Sequence, residues 1–348
     1  MSHVHCTPGG PKQGLNESGL TPTLQSWHEY DESTKTWSPV PSADESSLPK
    51  TLGHTFDEDL RLVLATWNVN AFGPQPHARL SAIFSHTISH VPSPDIIFLQ
   101  EISRPMIGSL LAKAEVCKGW YSSEKDSINW RGGFGTMILL SRSRFSTVGK
   151  TALAILGRVY RIRYPSMMLR DALCGEIFIP TKRMSSQKPH YIRATLINVH
   201  LESTNAPKCS SHRADQLSLV SSIIHETGYG LIAGDFNPVD PRDGSIIENN
   251  GLQDAWKALR DGDPGYTWGV GGKERYPASR MDKVATLGLR PIHIEVMHPQ
   301  GILLPGPDAL ASNSGNMGSE SNPSPKTMLW SDHSGVKFSF ILDTDKSA

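Results

Sequence analysis

Acceptor-rich side chains stand at the borders of apolar segments in the second half of the chain. Asp235 and Asn237 follow one apolar segment, 229–233, and Asp332 and His333 directly precede another. Segments of this kind predict buried strands, and a rigid sheet can aim the side chains at its strand ends into one cleft. We therefore expect these four residues to belong to a common site.

The first half of the chain repeats the pattern. Asn68 follows the apolar segment 62–65, and Glu101 follows the segment 96–99. Together the strand ends carry Asn, Glu, Asp-x-Asn and Asp-His, which is an oxygen-rich set without cysteine. Oxygen ligands suit a hard cation such as Mg²⁺, and such a cation is suited to the hydrolysis of phosphate esters.

Each of these residues also has a structural interpretation. Asp235 and Asn237 after glycine are typical of a turn, because both side chains can bond their own backbone. Glu101 could cap a following helix, where its charge meets the positive end of the dipole. His200 and His333 could be structural histidines. The occurrence of all these patterns in one ordered series favours a shared site over independent turns.

The elements that must position these residues alternate along the chain. Helical periodicity predicts helices at 79–88, with Pro92 and Pro94 beyond its end, at 105–116 and at 212–225. Further strands are predicted at 136–140, 176–179 and 191–200. Many strands lack a crossover helix between them. This favours an α/β (α+β) fold, with mixed sheets in a sandwich flanked by helices, over a doubly wound parallel fold.

A polar segment precedes the predicted core. Residues 1–57 are rich in Ser, Thr, Pro and Gly and predict a largely disordered leader. Within it, Trp27, Tyr30 and Trp37 are interpreted as a short segment that packs its aromatic rings on the core. The catalytic domain is expected over 58–344.

One long segment inside this domain has loop composition. Residues of about 301–327 include many Gly, Pro, Ser and Asn residues and predict a flexible loop. We see no internal repeat in the chain.

Composition narrows the functional class. The chain of 348 residues carries 34 basic and 34 acidic residues, so its formal net charge is zero, which excludes a strongly basic nucleic-acid coating but not a local patch. Its four cysteines show no regular spacing, which favours a reduced compartment without a disulfide framework or zinc ribbon. No apolar segment approaches the roughly 20 residues that span a bilayer, and no secretory signal is evident. We expect an intracellular protein, of nucleus or cytoplasm, without a membrane partner.

At its strand-end motifs the chain resembles the endonuclease/exonuclease/phosphatase superfamily, which has the deoxyribonuclease-I-like fold. The resemblance covers roughly residues 60–342. In the family's order, the motifs are Trp67-Asn68, Gln100-Glu101, Gly234-Asp235-Phe236-Asn237, Arg280-Met281-Asp282 and Ser331-Asp332-His333. This resemblance implies a four-layered α-β-β-α sandwich of two mixed sheets and a metal-dependent phosphoric diester hydrolase.

Three further segments resemble one branch of that superfamily. Residues 168–174, 200–204 and 266–268 look like the corresponding motifs of the type-2 tyrosyl-DNA phosphodiesterases. Those enzymes hydrolyse the bond between a topoisomerase tyrosine and the 5′-phosphate of DNA. The resemblance implies a partner with nucleic-acid ends, here DNA ends in repair, and a monomeric enzyme.

The resemblance also implies roles for individual residues. The metal ligands, for Mg²⁺ with Mn²⁺ as a substitute, would be Glu101, Asn68 and Asp332, directly or through water. The catalytic residues would be Asp235, Asn237, His200, His333 and Asp282. The substrate-binding residues would be Ser203, Trp268 and Arg170, although Trp268 could also be a core tryptophan.

The chain departs from the family pattern at three positions. Asn70 stands where the superfamily usually has Asp, and Asn205 and Val239 stand where the tyrosyl-DNA enzymes have arginines. Loss of two guanidinium groups removes charge-assisted phosphate contacts, so we expect weaker binding of a 5′-phosphotyrosyl DNA end. Three basic residues are candidates to compensate: Arg131, Arg170 and Lys273.

Two other functions remain open at this point. The same chemistry could serve a small-molecule or lipid phosphate, which the neutral net charge and the missing arginines would suit. Alternatively, the fold could serve as a non-catalytic interaction protein, which would predict loss of the ligand residues.

Overall fold

The computed structural model describes residues 21–49, 60–148, 153–181, 190–272, 276–303 and 327–343. In chain order the strands are β1 (Thr23–Gln25), β2 (Trp27–Asp31), β3 (Thr36–Val40), β4 (Leu62–Asn68), β5 (Ile96–Ser103), β6 (Trp120–Ser122), β7 (Phe134–Ser141), β8 (Phe145–Ser146), β9 (Ala154–Arg163), β10 (Asp171–Thr181), β11 (His190–His200), β12 (Gly230–Asp235), β13 (Gln253–Asp254), β14 (Asp282–Leu287), β15 (Leu289–Met297), β16 (Gly301–Leu303), β17 (Thr327–Leu329) and β18 (Gly335–Leu342).

The helices are fewer than the strands, and the longest of them pack on the outer faces of the two sheets. They are α1 (Pro76–Ser89), α2 (Arg104–Leu111), α3 (Ala114–Gly119), α4 (Pro207–Thr227), α5 (Ile246–Asn249) and α6 (Ala255–Leu259), with a 3₁₀ helix at Pro241–Ser245. None of the helices in the described part of the chain is long and apolar enough to cross a membrane.

The strands form two eight-stranded mixed sheets and one small ribbon. The first sheet has the order β1-β9-β10-β11-β12-β14-β13, with β8 beside β9, and the second has the order β15-β18-β4-β5-β7-β6-β2-β3. The pairs β11–β12 and β4–β5 are parallel, whereas most neighbours are antiparallel. The predicted sandwich of mixed sheets is confirmed.

Three apolar layers separate the two sheets and the flanking helices. Leu64 and Phe98 of the second sheet meet Leu196 and Leu231 of the first in the central layer. The opposite face of the second sheet packs on α1, α2 and α3, and the opposite face of the first sheet packs on α4. Every residue of β4 is buried, because both faces of that strand are covered. The result is the expected four-layered α-β-β-α order.

The predicted helices are confirmed with one change. The segments at 79–88 and 212–225 lie within α1 and α4, and α4 ends at Gly228, whose φ of 73° favours glycine. The single helix expected at 105–116 is wrong, because two helices, α2 and α3, cover that segment. The chain between them leaves the helix, and Lys113 adopts an extended conformation.

The beginning of the described chain is ordered, contrary to the predicted disordered leader. Strand β1 pairs with β9 in the first sheet, while β2 pairs with β6 in the second. Trp27 is fully buried, and its indole Nε1 donates to the carbonyl of Gly157 at 3.0 Å. Trp37 packs on the core of the second sheet, and its ring contacts that of Tyr30, so the interpretation that this segment packs on the core is confirmed for Trp27 and Trp37. The polar composition was misleading because two sheet edges supply the backbone partners; residues 1–20 and 50–59 lie outside the described residues.

The segment expected to be a flexible loop begins and ends in strands. Gly301–Leu303 and Thr327–Leu329 pair as the antiparallel ribbon β16–β17. The prediction is therefore wrong at these two ends, where backbone pairing replaces loop structure. Residues 304–326 lie outside the described residues.

Candidate active site

Strand pairing brings the predicted residues of each sheet to one edge. In the first sheet, His200 and Asp235 end the parallel strands β11 and β12 and lie opposite each other. Asp282 begins the antiparallel neighbour β14 and pairs with Asp235. In the second sheet, Asn68 ends β4 beside Gln100 of the parallel strand β5. Since the carboxyl ends of parallel strands share an edge, these polar residues converge at one end of the sandwich.

A backbone irregularity turns Glu101 toward this cleft. The register between β5 and β7 shifts between Leu99 and Ile102, and Glu101 itself has a φ of 58°. A left-handed conformation is rare for a residue with a side chain and is found at functional positions. One carboxylate oxygen of Glu101 accepts from the backbone N–H of Ala71 at 2.9 Å.

A buried amide pair joins the two sheets beneath the site. Gln100 Nε2 donates to Thr66 Oγ1 at 2.9 Å and to Asn198 Oδ1 at 2.8 Å. Asn198 in turn donates to the carbonyls of Leu99 and Met137. Sequence reasoning missed Asn198, although a polar residue inside the apolar strand β11 was the available signal.

Asn68 connects two carboxylates across the sandwich. Its Nδ2 donates to Asp235 Oδ2 at 3.0 Å and lies 3.3 Å from Glu101 Oε1. Its Oδ1 accepts from the backbone N–H of Asn70 at 3.0 Å. In this arrangement Asn68 faces both carboxylates as a donor, and the role predicted for it at a metal remains a prediction.

His333 forms a charged pair inside the cleft. Its Nδ1 lies 2.9 Å from Asp282 Oδ2, and its Nε2 lies 3.8 Å from Asp235 Oδ2. Burial alone would lower the pKa of His333, but the nearby carboxylates of Asp282 and Asp235 outweigh it and raise the pKa to about 10. The imidazolium form of His333 therefore predominates at neutral pH.

His200, unlike His333, is neutral. Arg170 Nη1 lies 2.8 Å from His200 Nδ1, and a guanidinium can only donate, so Nδ1 accepts and the proton is on Nε2. That Nε2 lies 3.5 Å from Asp235 Oδ2 and 3.8 Å from Glu101 Oε1. Burial, Arg170 and His333 hold the pKa of His200 well below its ordinary value of 6.5. Two histidines, one neutral and one charged, thus face one carboxylate.

Asp235 is the carboxylate between them. It is 1% exposed, and burial raises its pKa to about 7, although His333 acts in the other direction. Its Oδ1 accepts from the backbone N–H of Asn237 at 2.9 Å. Asn237 has a φ of 47° and donates its side-chain amide to the carbonyl of Leu201. The Asp-x-Asn motif is therefore both a turn and part of the site.

The remaining predicted residues lie around this centre. Trp268 is half-buried at the rim, where its Nε1 donates to Asp332 Oδ2 at 3.2 Å, and Asp332 is exposed. Ser203 Oγ lies 3.0 Å from Met168 Sδ, beside the loop that carries Arg170.

Two cavities open on either side of the histidines. One, of about 590 Å³, has Trp268, Asn205, Val239, Tyr276 and His333 in its wall. The other, of about 240 Å³, is lined by Arg131, Phe134, Arg170 and His200, among others. Arg131 and Arg170, two of the three basic residues expected to compensate, therefore lie on the His200 side, and Lys273 lies outside the described residues.

The guanidinium group of Arg79 holds the loop after β4 through hydrogen bonds to backbone carbonyls. Arg79 is 1% exposed and donates to the backbone carbonyls of Val69, Asn70, Gly73, Pro74 and Trp330. This loop supplies the Ala71 N–H that contacts Glu101. Sequence reasoning placed Arg79 only at the start of a helix and missed this role.

Two groups of side chains could hold a cation. Ligand atoms of Asp235, Asp282 and His333 lie within 4.8 Å of one another, and all three residues are buried. A cation among them would have to displace the proton that the two carboxylates hold on His333. Glu101, whose side chain is 14% exposed, presents a carboxylate beside Asn68 without this competition. In this structure Glu101 Oε1 faces the Asn68 amide N–H₂ and Oε2 accepts from the Ala71 N–H, so a cation at Glu101 would replace these donors.

The comparisons with known proteins agree with this geometry. The family model described as the Endonuclease/Exonuclease/phosphatase family matches residues 65–333. The chain belongs to this family. Members of the endonuclease/exonuclease/phosphatase family are hydrolases that act on phosphoester bonds. The chain has no significant match among curated proteins.

Several solved structures share the fold. D. rerio TDP2 complexed with a single-strand DNA product is 22% identical, with a TM-score of 0.55 over 81% of this chain and 99% of that one. Truncated Caenorhabditis elegans TDP2 is 20% identical, with a TM-score of 0.56 over 81% and 97%. An endonuclease/exonuclease/phosphatase family protein from Bacteroides thetaiotaomicron is 14% identical, with a TM-score of 0.54 over 84% and 98%. At these identities the likeness concerns the fold.

Proposed function

We propose that this chain is a divalent-metal-dependent phosphodiesterase that acts on nucleic-acid ends, including 5′-tyrosyl DNA adducts. The observation that carries the proposal is the convergence of a protonated His333, a neutral His200 and the buried Asp235 on one space beside Glu101. Hydrolysis of a phosphodiester needs a base for water and donors for the phosphoryl oxygens. These side chains supply both.

Asp235 is the proposed base. Its pKa of about 7 lets the carboxylate be ionised yet basic enough to take a proton at neutral pH. The oxygen of water would attack phosphorus, its proton would pass to Asp235, and the bond from phosphorus to the leaving oxygen would break. Oδ1 accepts from the backbone N–H of Asn237 and Oδ2 accepts from Asn68 Nδ2, so the proton would pass to the second lone pair of Oδ2, which faces the histidines.

The two histidines are the proposed donors to the phosphoryl oxygens. His333, held charged by Asp282, would offset negative charge that develops in the transition state. His200 would donate from Nε2, since Arg170 occupies its Nδ1. The charge of His333 also favours the ionised form of Asp235, against the effect of burial.

Glu101 is the proposed ligand of Mg²⁺, for which Mn²⁺ would substitute, with Asn68 and Asp332 nearby. When bound there, the cation would polarise a phosphoryl oxygen as a Lewis acid. The exposure of Glu101 and Asp332 at the rim supports access from solvent. Both carboxylates also interact with the Arg79 guanidinium, which indicates that they flank the same part of the rim.

A nucleic-acid end is the proposed substrate because an aromatic wall adjoins the histidines. Trp268 could stack a base in the cavity that it shares with Tyr276 and His333. Ser203 and Arg170 would contact the phosphate from the other side. A TDP2 with the same fold has been solved with a single-strand DNA product, which supports this choice. A role in DNA repair, in the nucleus or cytoplasm and as a monomer, is part of the proposal.

A substrate panel tests the proposal. Purified protein is incubated with a 5′-phosphotyrosyl oligonucleotide, an unmodified oligonucleotide, a sugar phosphate and a lipid phosphodiester, each with Mg²⁺ and with EDTA. We expect release of tyrosine from the first substrate only in Mg²⁺, at a slow rate. Rapid hydrolysis of the sugar or lipid phosphate with both oligonucleotides intact would instead support a small-molecule enzyme. No hydrolysis of any substrate with Mg²⁺ or Mn²⁺ would support a non-catalytic protein.

A further inference from the structure

A carboxylate outside the cleft, Glu202, is completely buried beneath the loop that carries Arg170. Glu202 Oε1 accepts from the backbone N–H groups of Met167 and Met168, at 2.9 Å and 3.0 Å. Its side chain is 0% exposed. A buried carboxylate is retained only where hydrogen bonds offset its desolvation, so these contacts are strongly constrained.

The second oxygen of Glu202 contacts two side chains. Oε2 accepts from Ser166 Oγ at 2.6 Å and from Gln216 Nε2 at 3.1 Å. Gln216 is itself fixed on α4, where its Oε1 accepts from the backbone N–H of Glu202 and its Nε2 also donates to the carbonyl of Pro165. Glu202 therefore joins the loop to the long helix of the first sheet.

Ser166 connects Glu202 to the backbone of Arg170. Its Oγ accepts from the backbone N–H of Arg170 at 2.8 Å and from that of Met168 at 3.1 Å. Between them, Leu169 has a φ of 59°, a conformation that a leucine adopts only when its surroundings impose it. Met167 and Leu169 are 62% and 46% exposed, so burial of their side chains does not hold the loop in place. The hydrogen bonds that Glu202 and Ser166 accept from the backbone of the loop must therefore hold it in place.

Arg170 is the point at which the loop reaches the site. Its Nη1 donates to His200 Nδ1, and its guanidinium lies 5.0 Å from the centre of the Phe134 ring. The negative charge of Glu202 also favours the charged form of Arg170, whose pKa burial lowers. A shift of the loop would remove the donor from Nδ1 and release the choice of tautomer.

We propose that Glu202 is a positioning residue: by fixing the loop 166–170 it sets Arg170 against His200 and holds His200 as the Nε2–H tautomer. The effect on catalysis rests on the proposed function, whereas the effect on the tautomer does not. The Glu202 carboxylate bonds to neither histidine and to none of the proposed cation ligands, and it acts through the loop 166–170.

Three variants separate positioning from general stability. Glu202→Gln keeps the shape but places an amide N–H₂ opposite the donors Ser166 Oγ and Gln216 Nε2. Ser166→Ala removes the acceptor of the Arg170 and Met168 N–H groups and one donor to Glu202 Oε2, but it keeps the Glu202 carboxylate and its other contacts, so it is the milder change. Glu176→Gln is the matched control, because Glu176 of strand β10 is also a buried, hydrogen-bonded carboxylate, but its partner is Arg158 of strand β9. Each variant is examined as the full chain.

The primary measurement is the ¹H–¹⁵N long-range spectrum of the histidine rings, without substrate. We expect His200 Nδ1 to give an acceptor-type shift in the wild type and in Glu176→Gln. A mixture of both tautomers should appear in Glu202→Gln and, to a smaller extent, in Ser166→Ala. An unchanged His200 spectrum in both loop variants overturns the proposal, even where the melting temperature falls.

The second measurement is the kinetic consequence. For a phosphodiester substrate we expect kcat to fall about tenfold in Glu202→Gln, because a misplaced donor forfeits part of its stabilisation of the transition state. KM should change less than kcat, and Glu176→Gln should keep both values. If His200 changes tautomer but kcat is unchanged, the kinetic role is overturned. If no variant and no wild type hydrolyses a phosphoester, the proposed function fails while the tautomer result still stands.

Discussion

His200 Nδ1 lies 2.8 Å from Arg170 Nη1, and this one contact decides which ring nitrogen of His200 carries the proton. The second histidine, His333, is oriented by an acid instead, through Asp282. The two rings therefore enter the cleft in different charge states although each offers its Nε2 to Asp235. A phosphate that binds between them would meet one charged and one neutral donor.

Glu101→Gln is expected to abolish metal-dependent hydrolysis and to leave the fold intact. The amide keeps the shape of the side chain but removes the charge that binds a hard cation. Activity is measured against Mg²⁺ concentration, and folding is measured by circular dichroism. Full activity of Glu101→Gln, or of the wild type in excess EDTA, would contradict the metal assignment. Glu176→Gln serves as the control and should keep the wild-type response to Mg²⁺.

Asp235→Asn is expected to lower kcat by about 10²–10⁴-fold, the usual contribution of a general base. Wild-type kcat should rise as the pH passes about 7, because the ionised carboxylate is the active form. Phosphodiester assays of the wild type and of Asp235→Asn at several pH values measure the loss of kcat and the pH at which wild-type kcat rises. Asp95→Asn is the control, since Asp95 is also buried but accepts from Val63 and Arg144 away from the cleft. A variant at Asp235 with wild-type kcat would exclude it as the base.

Asp282→Asn is expected to move the alkaline limit of activity toward neutral pH. In the wild type His333 keeps its proton up to about pH 10, so its ion pair adds stability below its ordinary pKa of 6.5, and that stability is lost as the pH rises through 10. Without the Asp282 charge, burial lowers the pKa of His333, and the ring deprotonates earlier. The pH profile of kcat/KM measures the shift. An identical alkaline limb in both proteins would show that His333 need not be charged.

Val239→Arg is expected to lower KM for 5′-phosphotyrosyl DNA with little change in kcat. Val239 lines the cavity beside Trp268, and a charge-assisted hydrogen bond to phosphate contributes roughly 1.5–3 kcal/mol. One added phosphate contact should also steepen the salt dependence of KM, by about 0.7 in the logarithmic slope for a single strand. Val239→Gln is the uncharged control. Equal KM values for the arginine and glutamine variants would place the DNA elsewhere.

Lys283→Met is expected to stabilise the fold by about 1–3 kcal/mol near neutral pH. Lys283 is 6% exposed, and burial together with Arg280 lowers its pKa to about 8. Unfolding exposes the ammonium group, and its pKa returns to 10.5. Between pH 8 and 10.5 only the unfolded chain keeps the proton, so the free energy of unfolding of the wild type should rise over this range. Urea unfolding at several pH values measures both effects.

Lys337→Met is the matched comparison for Lys283. Lys337 is also buried, but its Nζ lies 3.0 Å from Glu295 and donates to the carbonyl of Val91. Its removal deprives the Val91 carbonyl and the Glu295 carboxylate of a charged donor, although Glu295 keeps His293 nearby, so this variant should be less stable than the wild type. A stabilising effect of both substitutions would show that pairing does not distinguish the two lysines.

The strand-end motifs were predictable because each depends on a short segment. An apolar segment followed by Asn68, Glu101 or Asp235 predicts both a strand and the position of its end. The order of the motifs along the chain indicated the family, and with it the sandwich fold. The sequence could not report which sheet a strand joins. That choice depends on pairing between distant segments, as with β1 and β9, and so the strands at 23–40 were not predicted, although the aromatic residues of that segment were expected to pack on the core.

The supporting residues were hidden for a related reason. Gln100 and Asn198 are 98 positions apart, and nothing local marks them as partners. Glu202 occurs in a motif that resembled the family, yet its burial under the loop 166–170 follows from the packing of α4 on the first sheet. The convergence of the motif side chains on one cleft was therefore predictable, whereas the contacts that orient them were found only in the structure.

The position of β18 has a consequence for synthesis of the chain. This strand lies between β15 and β4, inside the second sheet, and His333 lies two residues before its first residue, Gly335. A nascent polypeptide that ends before residue 327 already contains Asn68, Glu101 and Asp235, but it lacks an interior strand and the charged donor. On the proposed function, a chain that lacks residues 327–342 would therefore have no hydrolytic activity, although it contains most strands of both sheets.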